Sequence, residues 1–312
     1  TCALPIYGAD LIALGRADVV VAGGVESMSR APWVMEKPTT AFAKPGAAFD
    51  TAIGWRFVNP RFADGEFGEK FTFSMPETAE EVGEVDGITR EDADAFAARS
   101  HERALAAIEA GRFADEIVPV VVTGRKGAET VVDTDEGPRP GSTPEVLAGL
   151  RPIIKKDGVV TAGNSSSLND GASAILVVSE RAAQKHGLTP RARVVESTSA
   201  GLAPEIMGLG PVEASRQALA RAGMSIDDVD LVEINEAFAA QVLPSAEDLG
   251  IPLDKLNVNG GAIALGHPWG MTGARITATL LNSLREHDKH IGLETMCVGG
   301  GQGMAMVIER LS

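Results

Sequence analysis

Short apolar strands alternate with helices along this chain, and this alternation limits its fold more than any other feature. A segment that is apolar on both faces, such as 18–22, is typical of a strand in a parallel sheet covered on both sides. One helix is predicted to begin after Thr89 and to end at Gly111, and another to run from about Gly270 to Glu286. Strands are predicted at 18–22, 170–179, 193–197, 230–234, 293–297 and 304–309. The alternation favours an α/β fold in which helices layer on a parallel or mixed sheet.

Between residues 39 and 168 the pattern is different. Pro and Gly are scattered, and apart from the helix after Thr89 the predicted helices are short. This composition predicts an inserted, mostly surface subdomain.

The composition of the 312 residues also restricts the class of protein. The 28 basic and 43 acidic side chains give a formal net charge of −15, which argues against broad binding to nucleic acids or anionic membranes. Two cysteines, Cys2 and Cys297, cannot form a disulfide framework. No window has the length and apolar character of a transmembrane helix, and the first residues show no secretory pattern. We therefore expect a cytoplasmic protein.

The densest candidate site is the glycine-rich segment NVNGGAIALGHPWGMTGAR at 257–275. Glycines allow the backbone to approach a ligand closely. His267 lies in the middle of the segment, and a histidine can exchange a proton with a thiol or polarise a carbonyl near neutral pH. An isolated Gly-His-Pro turn is more often structural than catalytic, so this motif alone does not identify a function.

Two further motifs carry candidate chemistry. In CVGGGQG at 297–303, unpaired backbone N–H groups could stabilise a Cys297 thiolate and lower its pKa, or form an oxyanion hole. The alternative is a cysteine that merely packs. NEAFA at 235–239 follows a predicted strand and leads into a helix. Asn235 could orient a water or donate to an oxyanion, or it could simply cap the helix.

Together, in this order and at these separations, the three motifs resemble the signature set of the thiolase family. The resemblance continues through MGLGP at 207–211, TAGNSSSLNDG at 161–171 and AGGVESMS at 22–29, and it covers the chain from about residue 8 onward. It implies a thiolase-like fold, layered α-β-α-β-α, with two similar mixed-sheet halves and an inserted loop domain. The implied parts are a remnant of the N-terminal half at 1–38, the loop domain at 39–168, a return to the N-terminal half at 169–190 and the C-terminal half at 191–312.

The resemblance further implies an acyltransferase that makes or cleaves 3-oxoacyl-CoA by Claisen condensation or thiolysis. His267 would activate the nucleophilic thiol and, with a water held by Asn235, form one oxyanion hole. Cys297 would move a proton to or from the α-carbon, and the Gly299 N–H would contribute to a second oxyanion hole. The positions that match substrate-binding residues are Ser166, Met207, Phe238 and Met75. The implied partners are acyl-CoA, acetyl-CoA and free CoA, with no further cofactor and no metal, in a homodimer or homotetramer.

The N-terminal region departs from the family pattern. The nucleophile of thiolases lies in Cys-x-Ser-Gly, about two dozen residues before the Ala-Gly-Gly that begins here at Ala22. Cys2 is followed by Ala-Leu-Pro and lies closer to Ala22, so we expect the nucleophile just before Thr1 rather than at Cys2. The peptide TCALPI at 1–6 is what a common sequencing adapter encodes, and we set it aside as non-native. We therefore expect an N-terminally truncated chain with little thiolysis activity.

The substrate is less well defined by the sequence. IGWRFVNP at 53–60, with MPETA at 75–79, resembles the subgroup that acts on 3-oxoadipyl-CoA, while acetoacetyl-CoA and longer 3-oxoacyl-CoA stay open. Ser74 stands where some thiolases have a substrate-contacting histidine. Trp269 and Met271 replace residues that are smaller or aliphatic in most thiolases.

Two other functions compete with a thiolase. A non-catalytic CoA- or lipid-binding protein has no need of the set His267, Cys297 and Asn235. A ketoacyl synthase relative normally uses two histidines, or histidine and asparagine, and lacks the cysteine loop. The remaining histidines are predicted to lie on the solvated surface and not to bind a metal. They are His101, His186, His287 and His290.

Overall fold

The computed structural model describes residues 3–62 and 68–312. The helices are α1 Ala3–Ala13, α2 Met75–Val85, α3 Arg90–Glu109, α4 Pro144–Ala148, α5 Glu180–His186, α6 Gly210–Ala222, α7 Ala239–Leu249, α8 Ala262–Leu265 and α9 Thr272–Glu286. The strands are β1 Val19–Ser27, β2 Trp33–Met35, β3 Ala48–Asp50, β4 Val120–Thr123, β5 Glu129–Val132, β6 Asp170–Val178, β7 Ala192–Gly201, β8 Leu231–Ile234, β9 Ile291–Val298 and β10 Gln302–Arg310. None of the helices in these ranges is long and apolar enough to cross a membrane.

A four-stranded sheet organises the C-terminal part of the chain, in the order β7-β10-β9-β8. β8 runs parallel to β9, whereas β10 is antiparallel to both β9 and β7, so this sheet is mixed as predicted. Alternate residues of β10 lie in different apolar clusters: Val307 packs with α6 and α7, whereas Met306 and Ile308 pack with α9. Helices therefore cover both faces of the sheet, which gives the layered α/β arrangement.

The prediction of a parallel partner for the first strand is wrong within the described residues. β1 pairs with β6 in an antiparallel register from Val19 opposite Val178 to Ser27 opposite Asp170. Val21 and Val25 are each 73% exposed, so this face of β1 is not covered as the sequence suggested. The apolar run was correctly assigned to a strand, but the composition of a strand does not determine the direction of its partner.

The segment set aside at the N-terminus falls partly within α1. Ala3 to Ile6 form the beginning of this helix, and Ile6 is buried in an apolar cluster that includes residues of α9 and β10. Thr1 and Cys2 lie outside the described residues, so the expectation about Cys2 has no structural counterpart.

The middle segment leaves the sheet after Ser27 and returns at Asp170, and these two residues are paired. Its main helix, α3, begins at the Thr89 cap, where Oγ1 accepts a hydrogen bond from the Asp92 N–H, and Gly111 follows its end in a left-handed conformation. Phe96 and several alanines of α3 are buried in the main apolar core. The expectation of a mostly surface segment is therefore wrong for α3, while the limits 39–168 stay a prediction.

One histidine prediction is also corrected. His101 on α3 is 6% exposed rather than solvated, and its Nδ1 accepts a hydrogen bond of 3.2 Å from the Arg139 N–H. His101 is buried although its neighbours in sequence are charged, because α3 packs against α4, α7 and α8. His186, His287 and His290 are exposed, as predicted.

Candidate active site

A buried carboxylate fastens the glycine-rich loop to the end of β8. Glu236 accepts hydrogen bonds from Ser100 Oγ at 2.6 Å, Asn257 Nδ2 at 2.8 Å and the Ile263 N–H at 3.1 Å. A Cβ at Gly261 would lie 2.2 Å from Glu236 Cδ, so only glycine fits there. These contacts bring the NEAFA segment and the loop that carries His267 together.

The hydrogen bonds around His267 determine which ring nitrogen carries the proton. Thr272 Oγ1 lies 2.9 Å from the Pro268 carbonyl oxygen, to which it donates, and 2.7 Å from His267 Nδ1. Because a hydroxyl has one hydrogen, Thr272 can only accept from Nδ1, and Nδ1 therefore bears the ring proton. Nε2 carries no proton, and its lone pair accepts a hydrogen bond of 3.3 Å from Asn235 Nδ2. The histidine is thus a base whose acceptor nitrogen is Nε2.

The environment keeps this imidazole neutral. Burial, assisted by the positive charge of Arg275, lowers the pKa of His267 to about 3. Asn235 is 1% exposed, and its Oδ1 has no hydrogen-bond partner in the part of the chain that the structure describes. Phe238, not Asn235, is the N-cap of α7, so the helix-capping alternative for Asn235 is wrong.

Cys297 lies near the end of β9, opposite Gly303 of β10. Gly300 and Gly301 form the turn between these strands with φ values of +89° and +87°, and a Cβ at Gly301 would lie 2.2 Å from the Leu202 carbonyl oxygen. Burial raises the pKa of the Cys297 thiol to about 12, and its own backbone N–H offsets only part of that effect. The expectation that glycine N–H groups lower this pKa is wrong, because desolvation of the thiolate dominates.

A single cavity of about 550 Å³ contains most of the predicted residues. Among the predicted catalytic positions, His267, Cys297 and Gly299 line it, and Asn235 reaches it through its contact with His267. The four predicted substrate-binding residues are also on its wall: Ser166, Met207, Phe238 and Met75. The structure therefore brings together all eight predicted positions, although it does not assign their roles.

Ser166 and Gly299 are held by neighbouring backbone. The Ser166 N–H donates to the Ala237 carbonyl oxygen at 2.9 Å, which ties the 161–171 motif to the NEAFA segment. A Cβ placed on Gly299 would meet Met75 Cε at 3.8 Å, so the cysteine loop faces the start of α2 across the cavity.

Two buried glutamates lie in the four-stranded sheet. Burial raises the pKa values of Glu233 on β8 and Glu294 on β9 to about 8. The Thr277 hydroxyl lies 2.9 Å from the Gly273 carbonyl oxygen and 2.8 Å from Glu294 Oε1. The hydroxyl can donate to either oxygen, and its bond to Glu294 lowers the pKa of that carboxyl by less than burial raises it. Burial thus keeps Glu294 neutral below a pH of about 8.

Sequence reasoning missed several residues of the site. Thr272, which orients His267, and Glu236, which anchors the loop, are both within quoted motifs, but their partners are distant or follow a turn. Arg56 and Gln241 line the cavity as well. Within the described residues, no group of three His, Cys, Asp or Glu side chains is placed to hold a metal.

Comparison with known proteins gives one consistent family. Residues 6–181 match the thiolase N-terminal domain, and residues 188–310 match the thiolase C-terminal domain. The chain is 52% identical over 307 residues to a beta-ketoadipyl-CoA thiolase of Escherichia coli, covering 98% of this chain and 76% of that relative. It is 53% identical over 302 residues to a beta-ketoadipyl-CoA thiolase of Pseudomonas aeruginosa, covering 96% of this chain and 74% of that relative.

Solved structures agree with the sequence relatives. The crystal structure of the Bacillus anthracis acetyl-CoA acetyltransferase superposes with a TM-score of 0.90 at 43% identity, covering 99% of this chain and 76% of that chain. Human mitochondrial 3-ketoacyl-CoA thiolase in complex with CoA superposes with a TM-score of 0.88 at 40% identity, with the same coverage of both chains. The chain therefore has the thiolase fold, belongs to the thiolase family and is an acyltransferase.

Proposed function

We propose that this thiolase cleaves 3-oxoadipyl-CoA with CoA and catalyses the reverse condensation. The observation that carries the proposal is the common cavity, in which His267 and Cys297 face the same space as Ser166. The 53–60 motif, which suggests this substrate, contributes residues 53–56 to the cavity wall. Two relatives about half identical to this chain are named for the same substrate, beta-ketoadipyl-CoA.

Thiolysis of 3-oxoadipyl-CoA needs an attacking thiol and a base that takes the proton of that thiol. A thiol attacks C3 of the substrate, the C2–C3 bond breaks, and the four-carbon acyl group then passes to the CoA sulfur, giving succinyl-CoA. Cys297 is the one cysteine of the described residues and does not serve as that thiol in this proposal. His267 Nε2, which carries no proton, takes the thiol proton.

The fate of the two-carbon fragment follows from the protonation of Cys297. Its pKa of about 12 keeps it a thiol near neutral pH, so it can donate a proton to C2 of the departing enolate, giving acetyl-CoA. In the condensation direction the thiolate form of the same sulfur removes that proton and becomes the thiol again. The Gly299 N–H contributes to the oxyanion hole for the thioester oxygen of this fragment.

The enzyme expressed from its complete reading frame provides the test. We compare kcat/KM for thiolysis of 3-oxoadipyl-CoA, 3-oxohexanoyl-CoA and acetoacetyl-CoA at one CoA concentration. We expect the highest value with 3-oxoadipyl-CoA. A preference for acetoacetyl-CoA rejects the proposed substrate, and absence of thiolysis with all three rejects the catalytic roles.

We also propose that the chain forms a homodimer or homotetramer. β4 and β5 form an isolated hairpin whose valines are exposed on both faces: Val120, Val121, Val122, Val131 and Val132. An isolated two-stranded hairpin is marginally stable, and an exposed apolar strand favours pairing, so a second copy of the chain would stabilise it. Light scattering after gel filtration should give a molar mass of two or four times the 32.5 kDa of this chain. A monomeric mass at micromolar concentration contradicts this.

A further inference from the structure

One charged side chain lies on the cavity wall as far as the described residues form it. Among the described lining residues, Arg56 is the single Lys, Arg, Asp or Glu, and it is half-buried. His267, the other ionisable base on the wall, is neutral because its pKa is lowered to about 3. The surrounding wall is mainly apolar, with side chains such as Phe71, Phe73 and Leu168. A cation in this position therefore acts on whatever enters the cavity in a chain whose net charge is −15.

Among the residues that the structure describes, the partners that hold Arg56 are neutral carbonyl oxygens. Arg56 Nε donates to the Asp50 carbonyl oxygen at 2.6 Å, and Nη1 donates to the Trp55 carbonyl oxygen at 2.8 Å. A Cβ at Gly54, whose φ is +81°, would lie 3.1 Å from Arg56 Nη1, so the backbone passes directly beneath the guanidinium. These bonds limit the rotamers of Arg56, which reduces the entropy that it loses when it binds a ligand.

The guanidinium keeps capacity for an anion. It has five N–H donors, and the two bonds to carbonyl oxygens use two of them. In the described part of the chain, no ion pair neutralises Arg56. An oriented, unpaired guanidinium on an apolar wall matches a carboxylate or phosphate oxygen, which it can bind with two parallel hydrogen bonds.

We propose that Arg56 binds the distal carboxylate of the acyl chain and thereby gives the enzyme its specificity for 3-oxoacyl-CoA that ends in a carboxylate. This inference rests on the proposed function, since 3-oxoadipyl-CoA has such a carboxylate at C6. An anion in this apolar cavity would be costly without a partner, and Arg56 supplies that partner. A neutral acyl chain of the same length gains nothing from Arg56.

The test compares two substrates that differ only at C6. 3-Oxoadipyl-CoA ends in a carboxylate and 3-oxohexanoyl-CoA in a methyl group, so the ratio of their kcat/KM values isolates the effect of the charge. In Arg56→Gln, which removes the charge but keeps an amide donor, we expect kcat/KM for 3-oxoadipyl-CoA to fall about 10- to 100-fold. The value for 3-oxohexanoyl-CoA should change little. Arg56→Lys should lie between Arg56→Gln and the wild type, because it keeps the charge but not the paired donors.

Matched controls separate the alternatives. Arg61→Ala removes an exposed arginine of the same loop that does not line the cavity, and it should leave the ratio unchanged. An equal loss with both substrates, together with a raised KM for CoA, means that Arg56 binds a CoA phosphate and overturns the proposal. An equal loss with an unchanged KM for CoA means that Arg56 only supports its loop, which overturns it as well.

The failure of the proposed function has a different result. If the wild type itself does not prefer 3-oxoadipyl-CoA over 3-oxohexanoyl-CoA, the substrate assignment fails before any variant is considered. If the wild type shows that preference and Arg56→Gln retains it, only the role of Arg56 fails. Melting temperatures of all variants identify any change that is due to misfolding.

Discussion

Replacing Thr272 with valine should impair His267 without changing the cavity. Thr272 is fully buried and does not line the cavity, and valine keeps its volume and branching. The Pro268 carbonyl oxygen retains the backbone N–H groups of Met271 and Thr272, at 2.9 and 3.1 Å, so it stays satisfied. The substitution therefore removes the hydrogen-bond acceptor of His267 Nδ1–H, which becomes a buried donor without a partner.

The magnitude follows from that one lost acceptor. An unsatisfied buried N–H costs about 1–3 kcal/mol, and a loss of transition-state stabilisation of this size lowers the rate about 5- to 150-fold. The rate falls because the ring can now place its proton on Nε2, the nitrogen that must accept the thiol proton. We expect kcat to fall by that factor and KM for CoA to change little. Thr272→Ser, which restores the hydroxyl, should recover most of kcat.

Thr279 offers a matched control on the same helix. It is also fully buried, and its hydroxyl donates to Glu116 Oε2 at 2.8 Å, away from His267. Thr279→Val should lower the melting temperature to a similar extent with little effect on kcat. Long-range ¹H–¹⁵N spectra should show the Nδ1–H tautomer of His267 in the wild type and a change in Thr272→Val. The reasoning is refuted if Thr272→Val keeps both wild-type kcat and the Nδ1–H tautomer.

Two further predictions follow from buried ionisable groups. Burial raises the pKa of the Cys297 thiol from 9.0 to about 12, so iodoacetamide should alkylate Cys297 markedly more slowly in the folded than in the urea-unfolded chain at pH 7.5. Peptide mass spectrometry measures both rates, and comparable rates contradict the effect of burial. For Glu294 the folded pKa of about 8 lies above the ordinary value of 4.5, so the folded protein keeps a proton that the unfolded chain has lost between these values. The stability of the wild type should therefore fall as pH rises from about 4.5 to about 8. The melting temperature of Glu294→Gln should rise relative to that of the wild type over the same range. A difference in melting temperature between the two proteins that does not change with pH rejects a neutral Glu294.

The sequence was sufficient for the local elements because their signals are local. The helix α3 was expected from the Thr89 cap and Gly111, and α9 from the pattern between Gly270 and Glu286, and both occur. The candidate site was also predictable, since its motifs adjoin strand ends that the mixed sheet brings together. His267 and Cys297 accordingly line one cavity.

Properties that depend on packing were not predictable in the same way. The pairing of β1 with β6 joins residues about 150 positions apart, and its direction is not encoded in either strand alone. The pKa of Cys297 rises because distant segments remove it from water, an effect that outweighs the visible glycines. Thr272 was overlooked because it orients His267 only when its hydroxyl donates to the Pro268 carbonyl oxygen, a contact that the sequence does not reveal.

Exchange of the C2 hydrogens of acetyl-CoA with solvent tests the central claim most directly, because it isolates the proton transfer assigned to Cys297. The enzyme from the complete reading frame is incubated with acetyl-CoA in deuterium oxide, and deuterium in the acetyl group is measured by mass spectrometry. We predict exchange by the wild type and a loss of about 100- to 10,000-fold in Cys297→Ala, with binding of acetyl-CoA retained. Exchange by Cys297→Ala at the wild-type rate would contradict the assignment of this cavity and its cysteine to the chemistry.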